Sequence, residues 1–183
     1  MRIHLGGSSR QSLVIARGKL DAAVKGASGA TASELSSHLF FAAETFASNT
    51  SLRRAFTDAS RDDSSKVALV KDLFGSKISS SASDLLAAIA GLRWSAAGDL
   101  VTVIEQLAIE AQASAANVDG ELDRLEAEFF QVSRLIADNF ELRKALVGNG
   151  SVDAKRALIA DVLAKSASAS TVKLAVALVT SLR

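Results

Sequence analysis

The sequence predicts an all-α fold, a helical bundle of roughly ten helices, and three of its properties favour that fold. Apolar residues make up 49% of the 183 residues but aromatic ones only 5%, so Ala, Leu, Val and Ile must fill the core, which suits closely packed helices. Proline is absent, so no position is barred from a helix interior. Apolar residues also recur three and four positions apart, which is the spacing of one helix face.

The first two predicted helices are separated by small residues. The first covers residues 10–25, with one apolar face. A capping box at residues 31–34, in which Thr31 and Glu34 satisfy free backbone donors reciprocally, predicts the start of the second helix, which ends near Ser48. The apolar positions of the first helix are Leu13, Ala16, Leu20 and Val24.

The next three helices are marked by polar caps. Asn49 is expected to cap a short third helix, and Asp62 or Asp63 the fourth, which Gly75 closes. Residues 81–84 (SASD) are a further N-cap signal, which leads into a fifth helix. The apolar face of that helix comprises Leu85, Leu86, Ile89 and Leu92.

A longer sixth helix, from Asp99 to about Ala116, completes the first unit, and an internal repeat begins after it. Residues 49–56 match residues 139–146 in type at six of eight positions, a displacement of 90. Further along, the displacement is 89. We therefore divide the chain into a six-helix bundle (residues 1–116) and a partial repeat (residues 117–183) of its second to fifth helices, with a bend near Gly120. The two parts can equally form one continuous domain that shares the sixth helix.

No motif in the sequence points to catalysis. There is no Cys, and neither His4 nor His38 has neighbours at the spacing of metal ligands. The pair Gly6-Gly7 is followed by Ser8 and lacks the Lys of a nucleotide cradle. We therefore expect no enzyme activity, no cofactor and no metal.

Charge and hydropathy restrict the kinds of partner. With 21 basic and 20 acidic residues, the net charge of +1 gives no electrostatic reason to bind nucleic acid. No stretch approaches the ~18 uncharged apolar residues of a spanning helix, and no signal peptide is evident, so we expect no direct membrane insertion. Two repeated basic pairs, Arg53-Arg54 and Arg143-Lys144, fit either a binding patch or, more simply, the dipole at the end of a short helix. The single Trp, Trp94, is expected to be a packing anchor.

Taken in order, the short motifs of the chain resemble the delta subunit of F-type ATP synthase, in the longer bacterial form whose helical N-terminal region is partly duplicated. The resemblance covers nearly the whole chain. It rests on residues 9–13 (SRQSL), 20–21 (LD), 51–58 (SLRRAFTD), 72–75 (DLFG), 93–95 (RWS), 99–100 (DL), 105–108 (EQLA), 120–123 (GELD) and 139–146 (NFELRKAL).

The resemblance implies a non-catalytic peripheral-stalk subunit at the cytoplasmic face of the bacterial plasma membrane. Such a subunit binds the N-terminal helix of an α subunit, links the catalytic head to the b-type stalk subunit, and resists rotary torque. Members of the family continue into a final helix and a C-terminal domain that engages the b-type subunit, whereas this sequence ends at Arg183. We therefore expect a fragment that keeps α-helix binding and loses most b-type binding.

The resemblance also implies where the α-subunit helix would bind, in a groove between the first and fifth helices. The matching residues are Leu13, Ala16, Leu20, Leu85, Ile89 and Leu92. Because the unit is duplicated, an alternative groove would use Ile104, Leu107, Leu174, Ala177 and Leu178. Many of these residues are equally compatible with a purely structural place in the core. A helical-repeat adaptor that binds an amphipathic helix in another assembly is the alternative function.

Overall fold

The computed structural model describes residues 4–179, and within this range the chain forms ten α-helices and no strand. The chain folds into two compact units that meet between Ala115 and Ala116, called unit 1 (residues 4–115) and unit 2 (residues 116–179) below. The helices are α1 (Gly7–Val24), α2 (Gly29–Ser48), α3 (Thr50–Thr57), α4 (Asp63–Phe74), α5 (Ser80–Ala90), α6 (Ala97–Val118), α7 (Leu122–Asp138), α8 (Phe140–Val147), α9 (Val152–Leu163) and α10 (Ala169–Leu178). This confirms the all-α prediction.

Three of the predicted helix starts were wrong by a few residues. Helix α1 begins at Gly7 and not at residue 10, and α2 and α5 also begin upstream of their predicted starts. Helix α2 begins after Ser28, whose Oγ accepts a hydrogen bond from the backbone N–H of Thr31, so Thr31 is inside the helix and no capping box forms there. Helix α5 begins after Ser79, which is two residues before the predicted SASD signal. In both cases a Ser upstream reaches the free N–H groups first, and the Ser/Ala-rich sequence that follows is compatible with helix.

The other predicted caps were correct. The Asn49 side chain accepts a hydrogen bond from the backbone N–H of Leu52 at 3.0 Å, and Asp62 rather than Asp63 caps α4. Helix α6 ends before Gly120, whose φ of +72° is the left-handed conformation that only Gly adopts without strain. The break predicted at Gly120 is therefore confirmed.

The repeated basic residues Arg53 and Arg143 stabilise the helix that precedes them in the chain. Nη1 of Arg53 donates to the carbonyl of Phe46 at 2.7 Å, and Nη1 of Arg143 donates to the carbonyl of Ala137 at 2.6 Å. These carbonyls lie in the last turns of α2 and α7, where no intrahelical donor remains for them. The dipole interpretation therefore holds for both members of each pair. Arg53 and Arg143 act at the C-terminus of α2 and α7, and Arg54 and Lys144 lie in the last turn of the short helices α3 and α8, as predicted.

Three phenylalanines form the centre of the core of unit 1. Phe46 packs edge-on against Phe56, with ring centroids 4.7 Å apart, and lies 5.7 Å from Phe74. A polar contact joins α2 to α6, because Oγ of the buried Ser36 donates to the carbonyl of Ala108 at 2.7 Å. Such a bond satisfies the hydroxyl and allows the two helices to pack closely.

Unit 2 has a smaller core of its own. Its most deeply buried large residues come from α8 and α9, and α7 and α10 pack against them. The buried members of this core are Val132, Leu142, Leu146, Ile159, Leu163, Ala175 and Val179. None of them is aromatic, so these buried residues form no equivalent of the edge-on phenylalanine cluster of unit 1.

In both units a side chain from the first helix of the repeat, α2 or α7, contacts the residue that caps the start of its last helix, α5 or α10. In unit 1, Nδ1 of His38 accepts from the backbone N–H of Ser79 at 3.1 Å. In unit 2 the equivalent residue is Glu128, whose Oε2 accepts from the N–H of Ser168 at 2.7 Å, from its Oγ at 2.7 Å, and from Oγ1 of Thr171 at 2.6 Å. The contact is repeated but the chemistry differs, because Glu128 brings a full negative charge to the N-terminus of α10.

The hydrogen bonds from the side chains of Ser168 and Thr171 lower the pKa of Glu128 from 4.5 to about 2, and Arg124 adds a further hydrogen bond at 2.8 Å. A carboxyl group whose pKa falls on folding stabilises the folded state fully above its unfolded pKa. That contribution is lost as the pH drops through the folded pKa. The stabilisation by Glu128 is therefore complete above pH 4.5 and disappears toward pH 2.

We predict that Glu128→Gln lowers the free energy of unfolding by about 1–3 kcal/mol near neutral pH, because the uncharged amide is a weaker acceptor for three donors. The difference from the wild type should shrink as the pH falls from 4.5 to about 2, where the wild-type carboxylate becomes protonated. Urea titrations at a series of pH values measure it. Glu126→Gln, an exposed neighbour on the same helix, is the control and should show a flat difference; a pH-independent gap for Glu128→Gln would contradict this assignment.

Candidate functional site

The structure packs α1 against α5, the two helices that were predicted to form a groove. Of the six predicted groove residues, Ala16, Leu20, Leu85 and Ile89 are buried in the core of unit 1. Leu13 and Leu92 are half-buried at its margin. The structure thus brings the six residues together, but as core, and leaves only the two marginal ones open to contact from outside.

The N-terminal part of α1 is attached to the segment that follows α5 by short polar contacts. Oγ of Ser12 donates to the carbonyl of Arg93 at 2.6 Å, and the backbone N–H of Ser95 donates to Oγ of Ser9 at 2.8 Å. Both Ser9 and Ser12 are buried. Small hydroxyl side chains at these positions let the two backbones approach while their polar groups remain satisfied.

An ion pair attaches α1 to α6 further along. Nε of Arg17 donates to the two carboxylate oxygens of Glu110 at 2.8 and 3.1 Å, and Nη2 donates to Oε1 at 2.5 Å. The hydrogen bonds that Arg17 donates to Glu110 raise the pKa of Arg17 above its ordinary value. The pair is bidentate but nearly half of the Arg17 side chain is exposed, so it contributes to orientation more than to stability.

The outer face of α1 carries two exposed β-branched residues. Val14 is 69% exposed and Ile15 is 44% exposed, whereas the other outward positions of α1 are polar or small. On α5 the exposed and half-exposed positions include Ala87 and Ala88, over which a partner helix could approach closely. Val14 and Ile15 were not among the predicted site residues. Their exposure could have been predicted, because both are apolar and lie off the core stripe of α1.

The residues of the alternative groove are distributed over the two units. Ile104 and Leu107 are completely buried in the core of unit 1. On α10 in unit 2, Leu174 is buried, and Ala177 and Leu178 are half-buried.

Unit 2 contains an open apolar groove of about 150 Å³ on its surface, which is called the unit 2 groove below. It is formed by α7, α9 and α10, and among the described residues Ser133 is its only polar lining residue. Only Leu178 among the predicted site residues lines it. The lining residues are Phe129, Val132, Ser133, Ile136, Ile159, Ala175, Leu178 and Val179.

The internal repeat explains why this groove is open. Displacements of 90 for α7 and 89 for α9 and α10 pair its lining residues with eight residues of unit 1, all of which are at most 1% exposed. In unit 1 the helix α6 contributes large aliphatic side chains to the same core cluster. The equivalent positions in unit 1 are Leu39, Ala42, Ala43, Phe46, Val70, Leu86, Ile89 and Ala90.

Neither a metal-binding cluster nor a membrane-spanning helix is found in the described part of the chain. Among residues 4–179 no three His, Cys, Asp or Glu side chains are grouped closely enough to hold a metal ion. In the same part of the chain, every helix is too short or too polar to cross a bilayer.

The chain is similar over most of its length to curated bacterial proteins, although no protein-family model matches it. ATP synthase subunit delta of Streptomyces coelicolor is 38% identical over 178 residues, which are 97% of this chain and 65% of the relative. The proteins of the same name from Kineococcus radiotolerans and Nocardioides sp. are 37% identical over 170 residues and 41% identical over 141 residues. Those alignments cover 92% and 76% of this chain, and 61% and 51% of the relatives. The chain thus spans less than two thirds of each relative's length.

The repeat supplies a matched pair of substitutions that tests whether the unit 2 groove is open in solution. Ile89→Ala should lower the free energy of unfolding by about 3 kcal/mol, because it leaves a cavity in a closed core. Leu178→Ala, at the equivalent position, should cost about 1 kcal/mol or less, because Leu178 is already partly in contact with water. Denaturant titrations measure both. Similar losses for the two variants would show that the groove is closed in solution.

Proposed function

Since the chain is a homologue of ATP synthase subunit delta, we propose that it is a non-catalytic peripheral-stalk subunit that binds the N-terminal helix of an α subunit on the catalytic head. In this role it links the head to the b-type stalk subunit and resists rotary torque during proton-driven ATP synthesis. It acts at the cytoplasmic face of the bacterial plasma membrane as a peripheral protein. The alignments cover 65% of the S. coelicolor relative and smaller shares of the other two. The proposal therefore concerns only the helical part of such a subunit to which this chain corresponds.

The observation that carries this proposal is the apolar outer face of α1 beside α5. Val14 and Ile15 are exposed on α1, and Leu13 and Leu92 are half-buried at the margin of the unit 1 core. An amphipathic helix that covers such a face recovers about 1.5–3 kcal/mol for each large aliphatic side chain that becomes fully buried. The predicted groove residues Ala16, Leu20, Leu85 and Ile89, which are buried in the core, then act by holding α1 and α5 side by side.

A stator subunit must transmit force without giving way, and the attachment of α1 suits that task. A load applied to α1 is shared between the Ser9 and Ser12 hydrogen bonds and the bidentate pair of Arg17 with Glu110. These contacts lie on different parts of α1, and the apolar stripe between them is buried. Rigid mounting of this kind keeps a bound partner helix in register with the bundle.

The unit 2 groove supports a second candidate, a helical-repeat adaptor that binds an amphipathic helix there. The groove is lined almost entirely by apolar side chains, and Leu178, from the alternative site, lines it. The same groove could also receive the helix of an α subunit, which makes it the competitor of the α1 face.

The test is calorimetric titration of the chain with a synthetic peptide of the N-terminal helix of the α subunit from the same organism. We expect saturable binding that the double variant Val14→Glu, Ile15→Glu weakens by about tenfold or more, because both charges would be buried against the peptide. Leu178→Glu should leave the affinity unchanged, and Val147→Glu, at another exposed apolar position, is the control for the added charge.

The pattern of losses separates the candidates. If Leu178→Glu alone weakens the peptide, the unit 2 groove is the site of the α-subunit helix. If neither variant matters, or if the wild type gives no saturable signal, the proposed α-subunit binding is wrong. Circular dichroism of each variant confirms that helix content is retained.

A further inference from the structure

A polar cavity of about 280 Å³ lies in unit 1 where the ends of several helices come together. Its wall includes Ser8 at the start of α1, Thr57 at the end of α3, Lys66 in α4, and residues 91–94, which follow α5. Pockets for drug-sized ligands usually have volumes of about 300–1,000 Å³, so this cavity suits a smaller group.

Lys66 is the unusual residue of this cavity. It is only 4% exposed, although Lys is among the residue types that are least often buried without a partner. Among residues 4–179, no hydrogen bond or ion pair to its ammonium group is formed. The stem of Lys66 is buried, but its Nζ is not among the fully buried side-chain atoms of the described residues, so the ammonium group stays accessible to a ligand. Asp58 interacts with it electrostatically without forming an ion pair, and the charge favours a ligand of opposite sign.

A second donor in the cavity wall also lacks an acceptor. Nε1 of Trp94 is buried and has no hydrogen-bond partner, and within the described range it is the one buried side-chain nitrogen or oxygen in this condition. An indole N–H can only donate, and an ammonium group can only donate, so both require an acceptor. Unsatisfied buried donors are rare in folded proteins.

The charges around the cavity favour an anion. Lys66 and the exposed Arg93 contribute two positive charges, and Asp63 contributes one negative charge. The Asp63 carboxylate lies against the backbone of Gly91, where an added Cβ would be 3.1 Å from Oδ2. The net charge of the lining side chains is therefore positive, and Asp63 can accept a hydrogen bond from a protonated ligand oxygen.

We propose that this cavity binds a small oxyanion, with Lys66 and Arg93 as the cationic groups and the Trp94 indole N–H as a further donor. A phosphate or a carboxylate supplies the oxygen acceptors that these three donors lack. The site uses none of the residues of the apolar face of Val14 and Ile15, so its test and the test of the proposed α-subunit binding can fail separately.

The single Trp of the chain makes the proposal directly testable, because the chain has no Tyr and its fluorescence comes from Trp94 alone. We would titrate the chain with sodium phosphate and, separately, with sodium acetate, at constant ionic strength maintained with sodium chloride. A saturable change in Trp94 emission with either anion, but not with chloride, is expected. Tighter phosphate binding assigns a free phosphate, and tighter acetate binding assigns a carboxylate group.

Lys66→Met keeps the length of the side chain and removes its charge, and it should weaken the anion by about tenfold or more. Lys71→Met, an exposed Lys on the same helix, is the matched control and should bind as the wild type does. If Lys66→Met does not fold, Arg93→Gln at the exposed rim provides the second variant. The proposal is overturned if neither anion gives a saturable change, or if the charge-removing variant binds as tightly as the wild type.

Discussion

The burial of α5 is the constraint on which unit 1 depends. This helix packs against α1, α2 and α4, and both of its ends are attached by side chains from elsewhere. At its start, His38 from α2 accepts from the N–H of Ser79; beyond its end, Ser9 and Ser12 of α1 bond to residues 93 and 95. The position of α5 therefore fixes where α1 lies, and with it the apolar face that carries Val14 and Ile15.

The second unit repeats this construction with different side chains, and the differences have physical consequences. Where His38 caps α5 with a single ring nitrogen, Glu128 caps α10 with a carboxylate that accepts three hydrogen bonds through one oxygen. Where Ala42 and Ala90 are enclosed in unit 1, Val132 and Val179 line an open groove. Duplication copied the helix order and the caps, but the same positions serve a closed core in one unit and an apolar surface in the other.

Periodicity predicted ten helices and most of their core faces, because one face of each helix is strongly apolar. Helix starts were less certain from sequence, since in the Ser/Ala-rich stretches before α2 and α5 several Ser residues can cap, and Ser28 and Ser79 are selected by where the preceding chain turns. Ala16 and Ile89 were assigned to a groove although they are core, because a helical stripe does not reveal how many neighbours cover it. Trp94 was predicted as a packing anchor and does pack against the core, but the cavity that it shares with Lys66 had no sequence signal, since it forms from segments that are distant in sequence.

The cavity and the partner-binding face share their support, which connects two sites of different chemistry. Ser8 lines the cavity, and the adjacent Ser9 accepts from the N–H of Ser95 and so ties α1 to the segment that follows Arg93 and Trp94. An oxyanion held by Lys66 and Arg93 would restrain that segment, and through it the start of α1. By linkage, a ligand that favours one arrangement of α1 favours any partner that binds the same arrangement, and the effect is reciprocal. The physical basis for such coupling is already present in the short hydrogen bonds of Ser9 and Ser12, because they are the only polar contacts in the described residues that join α1 to the segment after α5.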